Sequence, residues 1–218
     1  MRLLIVRHGE STTNADREGI KQPADMNSVL TDLGIQQAEK AAAWLKENVK
    51  HVDLIYSSSL NRAQQTAAPI AQAYQLPVEI SHRIREGGYN YADGSPIPDD
   101  LLPIDKMFEW HTRPFDPFDD QLEECESFAE LKERVAEFLD IIQEAYLDKT
   151  LVVVTHGWTM NAFYDVIFNN CVFRQCFFRN ENTAITYLEY DPSRTLGPWI
   201  AHFIAQTPHL GIILDENL

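Results

Sequence analysis

The chain begins Met1-Arg2-Leu3-Leu4-Ile5-Val6-Arg7-His8-Gly9-Glu10-Ser11-Thr12-Thr13-Asn14. Leu3–Val6 is an unbroken apolar run, the pattern of a strand buried on both faces. It stops at a guanidinium beside an imidazole. Strands must end somewhere, so this ending has an ordinary reading. The other reading is that the strand's carboxyl end is a site for an anion, with Gly9 letting the backbone pass close to the ligand. The remainder of the chain discriminates between the two. Val52–Tyr56 and Leu151–Thr155 repeat the apolar run, and each run precedes a helical pattern. Ile35, Ala38, Ala42 and Leu45 recur at helical spacing, as do Leu60, Ala63, Ala67, Ile70, Ala71 and Tyr74, with Pro69 expected to kink the second helix. Ser127-x-x-Glu130 is a capping box ahead of the stripe Phe128, Leu131, Val135, Phe138, Leu139 and Ile142. Thr183–Tyr190 and Trp199–Ile204 read as two late strands separated by turns at Asp191-Pro192 and Gly197-Pro198.

Strand–helix alternation predicts an α/β domain with a largely parallel sheet, and such sheets bind ligands beyond the carboxyl ends of their strands. Arg7-His8 and His156 both fall at such ends. That shared placement favours the anion-site reading.

Bulk properties narrow the function classes. With 218 residues, 44% hydrophobic and 23% charged, the chain has an ordinary globular composition. No apolar run approaches the ~20 residues of a membrane span, and the first is too short for a signal peptide, so a cytoplasmic location is expected. Cys125, Cys171 and Cys176 have no CxxC spacing and are expected to be reduced thiols. A net charge of -15 disfavours nucleic acid and anionic membranes as partners. A small anionic substrate stays open, because a few arginines in a dry pocket outweigh a distant acidic surface.

Several chemistries lack their motif: there is no GxxxxGK[ST] loop, no GxGxxG after a strand and no GxSxG elbow. The seven histidines show no compact metal-ligand spacing, so no metal or other cofactor is expected. Polar groups at strand ends remain: Arg7, His8, Asn14, Arg62 and His156. Arg62 falls in the first turn of a helix that starts near Ser58-Ser59, where it could share an anion with that helix's free amides. Taken singly, each has a bland reading, as a solvated arginine, a surface glutamate at Glu86, or a hydrogen-bonded histidine.

Taken together they resemble a known family. LLIVRHGESTTN is similar to the RHGE signature of the histidine phosphatase superfamily, the phosphoglycerate mutase-like family. Leu30-Thr31-x-x-Gly34-x-x-Gln37-Ala38 resembles its LTxxGxxQA stretch, and Ser57-Ser58-x-Leu60-x-Arg62-Ala63-x-Gln65-Thr66-Ala67 its SSxLxRAxQTA helix. Arg83-Ile84-Arg85-Glu86 sits where the family places its acid. Glu126-Ser127 heads a helix as its GES does, and Val154-Thr155-His156-Gly157 resembles its second histidine motif. The chain departs from the pattern at Val29 (commonly proline), Cys125 (glycine) and Asn90 (frequently glycine), none of which removes a chemical group.

The resemblance implies a three-layer α/β/α sandwich with a mostly parallel central sheet, a single domain over 1–218. It also implies a phosphatase acting on phosphomonoesters, with His8 as the nucleophile that forms a phosphohistidine. Glu86 would be the proton donor and His156 the third catalytic group, with Arg7, Asn14, Arg62 and Gly157 binding the phosphate. The alternatives are a phosphoglycerate mutase, which returns the phosphoryl group to substrate, and a non-catalytic phospho-ligand module. Expected ligands are a small phosphorylated substrate, phosphate, and vanadate as a mimic. The segment 87–126 has five prolines, six aromatics and eleven acids, with Lys106 and Arg113 its only Lys or Arg residues. It is expected to pack over the site as a cap, where its acids would repel a second anionic group on the substrate. Alternatively, its aromatics form a satellite core and its acids face solvent.

Overall fold

The computed structural model describes residues 1–15, 27–91, 93–98, 125–169 and 176–211. In chain order the elements are β1 (Arg2–Arg7), α1 (Thr12–Ala15), α2 (Asp32–Asn48), β2 (Leu54–Ser58), α3 (Asn61–Tyr74) and β3 (Val78–Ser81). There follow a 3-10 turn (His82–Ile84), α4 (Phe128–Ala145), β4 (Thr150–Thr155), α5 (Gly157–Ile167), β5 (Ile185–Tyr190) and β6 (Trp199–Gln206). One six-stranded sheet has the order β3-β2-β4-β1-β5-β6. β3, β2, β4 and β1 are mutually parallel, as the alternation predicts, whereas β1–β5 and β5–β6 are antiparallel. The sheet is therefore mixed, and its parallel part carries the three apolar runs.

The strand period of two sorts these residues into two cores. Leu3, Ile5, Leu151 and Val153 face α4 and α5, packing on Leu131, Val135, Phe138, Ile142, Met160 and Phe163. Leu4, Val6, Val152 and Val154 face α2 and α3, packing on Ala42, Leu45, Ala63, Ala67 and Ile70. Helices on both faces make the three-layer sandwich. Each such Leu or Ile side chain contributes roughly 1.5–3 kcal/mol by leaving water.

The capping box at α4 forms as expected: Ser127 Oγ accepts from Glu130 N at 3.3 Å, and Glu130 Oε2 accepts from Ser127 N at 2.6 Å. α3 runs unbroken through Pro69. α2 keeps the predicted face at Ala38, Ala42 and Leu45 and departs from it at Ile35. Its buried residues are Gly34, Ala38, Ala41, Ala42 and Leu45, while Ile35 is 45% exposed. The cause is a close backbone approach: a Cβ on Gly34 would collide with the Glu10 carbonyl. That contact turns Gly34 inward, and Ile35, one residue round the helix, faces out. Of the predicted cap, residues 99–124 lie outside the described residues, as do Lys106, Arg113 and Cys171.

Candidate active site

The parallel register builds the centre of the site. Arg7 is paired with Thr155 across β1 and β4. The next residue of each strand, His8 and His156, must therefore emerge side by side, and His8 N donates to Thr155 O at 2.9 Å. The two rings lie 5.1 Å apart and both are buried. β2 flanks β4 on its other side, which brings Ser58 Oγ to 2.8 Å from His156 Nε2.

His8 is held in one tautomer. Its Nδ1 lies 2.7 Å from Gly9 O, a carbonyl that can only accept, so Nδ1 carries the proton. The lone pair is then on Nε2, which accepts from Arg62 Nε at 3.3 Å. Burial first, then the charges of Arg62 and Arg7, hold its pKa well below 6.5, so the ring is neutral near pH 7. His156 is held low in the same way, by burial and then by Arg62, His8, Arg7 and Arg85. Ser58 Oγ accepts from Leu60 N and shares a second hydrogen bond with His156 Nε2. His156 Nδ1 is buried with no hydrogen-bond partner among the described residues. A buried polar nitrogen in that state is costly, and a ligand oxygen would satisfy it.

Cationic groups converge around the two rings. Arg7 Nη1 donates to Asn180 O at 2.5 Å, and the Arg62 guanidinium lies over the buried Tyr89 ring at 5.2 Å. A Cβ on Gly157 would lie 3.6 Å from Arg7 Nε, so the start of α5 also borders this space. Asn14 joins through its oxygen, which accepts from Ser11 and from Asn182 Nδ2 at 3.1 Å; its own NH₂ is the part left to donate. Two expectations are narrowed here. Three of the first amides of α3 are already used: Asn61 N donates to Asn27 Oδ1, and Ala63 N and Gln64 N donate to Leu60 O. What α3 contributes is the Arg62 side chain. Gly9, for its part, is required by a helix: a Cβ there would meet Gly34 O at 2.5 Å.

Glu86 lies at the start of α5. Its carboxylate accepts from Trp158 N and Thr159 N, both at 3.1 Å, and from Gly87 N at 3.2 Å. The chain leading to it is fixed by Thr155 Oγ1, which donates to Ile84 O, and by Thr159 Oγ1, which donates to Arg85 O.

All seven predicted site residues thus border one region. Sequence reasoning missed the residues that hold them: Ser58 on His156, Thr66 under Gly9 N (3.0 Å), Asn180 on Arg7, and Asn182 on His8 O (3.2 Å). Ser58 and Thr66 lie inside the stretch that resembles the family. Asn180 and Asn182 had no signal beyond polarity in a turn. Among the described residues, no group of three or more His, Cys, Asp or Glu side chains is placed to hold a metal ion. Nor is any helix long and apolar enough to cross a membrane.

Comparison with known proteins shows the family. The family model described as histidine phosphatase superfamily (branch 1) matches residues 3–197. A probable phosphoglycerate mutase of Yersinia pestis is 30% identical over 99% of this chain and 98% of its own length. Among solved structures, a phosphoserine phosphatase mutant from Entamoeba histolytica in complex with phosphoserine is similar with a TM-score of 0.70. It is 27% identical, over 96% of this chain and 98% of that one. A putative alpha-ribazole-5'-P phosphatase from Escherichia coli shares the fold at a TM-score of 0.68 and 23% identity, over 95% and 98% of the two chains.

Proposed function

The chain belongs to the histidine phosphatase superfamily, and we propose that it is a phosphomonoesterase that uses His8 as nucleophile and needs no metal. The observation that carries this reading is the state of the His8 ring. It is neutral and oriented through Nδ1, and its only lone pair faces Arg62 beside His156. A neutral imidazole is a competent nucleophile near pH 7 without metal activation.

In the first step the Nε2 lone pair of His8 attacks phosphorus and the P–O bond to the leaving group breaks. Glu86, entering as the acid, delivers its proton to the leaving oxygen. In the second, the Glu86 carboxylate takes a proton from water, the hydroxyl attacks phosphorus, and the N–P bond breaks to release phosphate and free His8. Arg7, Arg62, the Asn14 amide, His156 and the start of α5 at Gly157 surround the transferring group. Positioning and charge stabilisation supply most of the catalysis in phosphoryl transfer.

The substrate class is a small phosphorylated compound, with phosphate and vanadate as ligands; the neighbour solved with phosphoserine supports this. We assign residues 1–218 to one domain, with 87–126 as a cap, and place the protein in the cytoplasm without nucleic-acid or membrane partners. A second reading, phosphoglycerate mutase, has the name of the Yersinia pestis relative in its favour. Against it, 87–126 has only Lys106 and Arg113 among eleven acids, a poor setting for a substrate with a second anionic group. The test is phosphate release measured over sugar phosphates, phosphoserine, nucleotides and phosphoglycerates. Release should outpace interconversion of 2- and 3-phosphoglycerate. Faster interconversion, primed by the bisphosphate, would establish the mutase.

A further inference from the structure

The acid rests on a buried ion pair that the chemistry itself does not use. Arg134, in α4, is 4% exposed and Glu126, just before the capping box, is 2% exposed. A guanidinium has five N–H donors in a fixed fork, and here the three nitrogens reach five acceptors. Nε donates to Glu126 Oε2 at 2.8 Å, and Nη2 to Glu126 Oε1 at 2.6 Å and Arg85 O at 3.1 Å. Nη1 donates to His82 O at 3.3 Å and Arg83 O at 2.6 Å. Glu126 in turn accepts from Gly88 N, and its own N–H donates to Asn90 O at 3.0 Å. One ion pair therefore grips the backbone on both sides of Glu86, three carbonyls before it and one amide after it.

Buried ion pairs are poor stabilisers compared with packed apolar residues, because both charges lose their hydration. A planar fork offers something an apolar cluster cannot, namely fixed positions for several carbonyls at once. We infer that Arg134, locked by Glu126, is the positioning residue for Glu86, setting the distance between the carboxyl group and the leaving oxygen. The inference rests on the reading of Glu86 as the proton donor.

The leaving group tests it. An alkyl phosphate needs a proton for its alkoxide, whereas p-nitrophenolate barely needs one. Arg134→Lys keeps a charge but loses the fork. It should slow an alkyl phosphate on the order of 10²-fold, the usual cost of misplacing a catalytic group by about an ångström. It should slow p-nitrophenyl phosphate only a few-fold, leaving vanadate affinity unchanged. In the double variant with Glu86→Gln, Arg134→Lys should add nothing further on the alkyl ester, since both changes act through one group. Glu126→Gln, which keeps the shape and removes the charge, should give the same selectivity if Arg134→Lys does not fold. Equal slowing of both substrates by the folded variant, or full additivity with Glu86→Gln, overturns the positioning role. Should Glu86→Gln itself slow both substrates equally, the fault lies in the acid assignment beneath it.

Discussion

α3 and α5 both start at the carboxyl edge of the sheet, one after β2 and the other after β4, and neither has a side-chain cap from its own N-cap residue, Leu60 or His156. Every helix start leaves backbone N–H groups to satisfy, and the two resolve this differently. α3 gives the amides of Asn61, Ala63 and Gln64 to Asn27 Oδ1 and Leu60 O, and presents the Arg62 guanidinium to His8. α5 offers its amides outward, to the Glu86 carboxylate. The first helix start places a buried guanidinium beside His8, which the proposed mechanism uses to hold the phosphoryl group. The second fixes the orientation of Glu86, the proposed proton donor. A helix terminus is thus no evidence of an anion site until its amides have been followed to their acceptors.

The largest expected effect is on the residue both helices serve. His8→Ala should lower kcat by at least about 10⁴-fold with any ester, as loss of a nucleophile does elsewhere. Glu86→Gln breaks the α5 side alone, and should cost about 10²–10⁴ with alkyl phosphates but far less with p-nitrophenyl phosphate. If the two esters suffer alike, the division between the helices fails. Arg62→Ala breaks the α3 side and should cost on the order of 10²–10³ with both esters equally.

A smaller effect separates charge from burial. Both hold the His8 pKa below 6.5, and neutral His8 is the form that the proposed nucleophilic attack requires. Activity should therefore persist as pH falls through 6.5 and decline only when the depressed pKa is reached. Removing Arg62 takes away one cause, so the acid limb of kcat/KM should move to higher pH. Measured in the Glu86→Gln background, the limb reports the imidazole; an unmoved limb means that the Arg62 charge does not help to set it. The smallest effect is at α4, whose start is capped by its own Ser127. Ser127→Ala should cost about 1 kcal/mol of stability by denaturant unfolding, with kcat nearly unchanged.

Periodic features were legible in the sequence. Leu3–Val6 and Leu151–Thr155 became adjacent strands because continuous apolar runs suit strands covered on both faces, and that adjacency alone brings His8 to His156. The stripe of α4 was equally plain. β3 escaped notice: Val78–Ser81 is an edge strand with no buried residue, so nothing forces an apolar pattern on it. On α2 the predicted stripe holds at Ala38, Ala42 and Leu45 and fails at Ile35, because a backbone contact at Gly34, an event without periodicity, turns Gly34 inward instead. Glu126 stands out in the sequence only as part of the Glu126-Ser127 pair, and Arg134, among the charges of α4, carries no sequence signal at all. Only the fold shows that both are buried.

The central claim is a covalent bond between phosphorus and His8 Nε2. Rapid quench with labelled substrate, followed by peptide mapping, tests it most directly. A stoichiometric phosphoprotein is expected, acid-labile and base-stable, with the label on His8 and none in His8→Ala. A stoichiometric label that survives in His8→Ala, or maps to another residue, would contradict it.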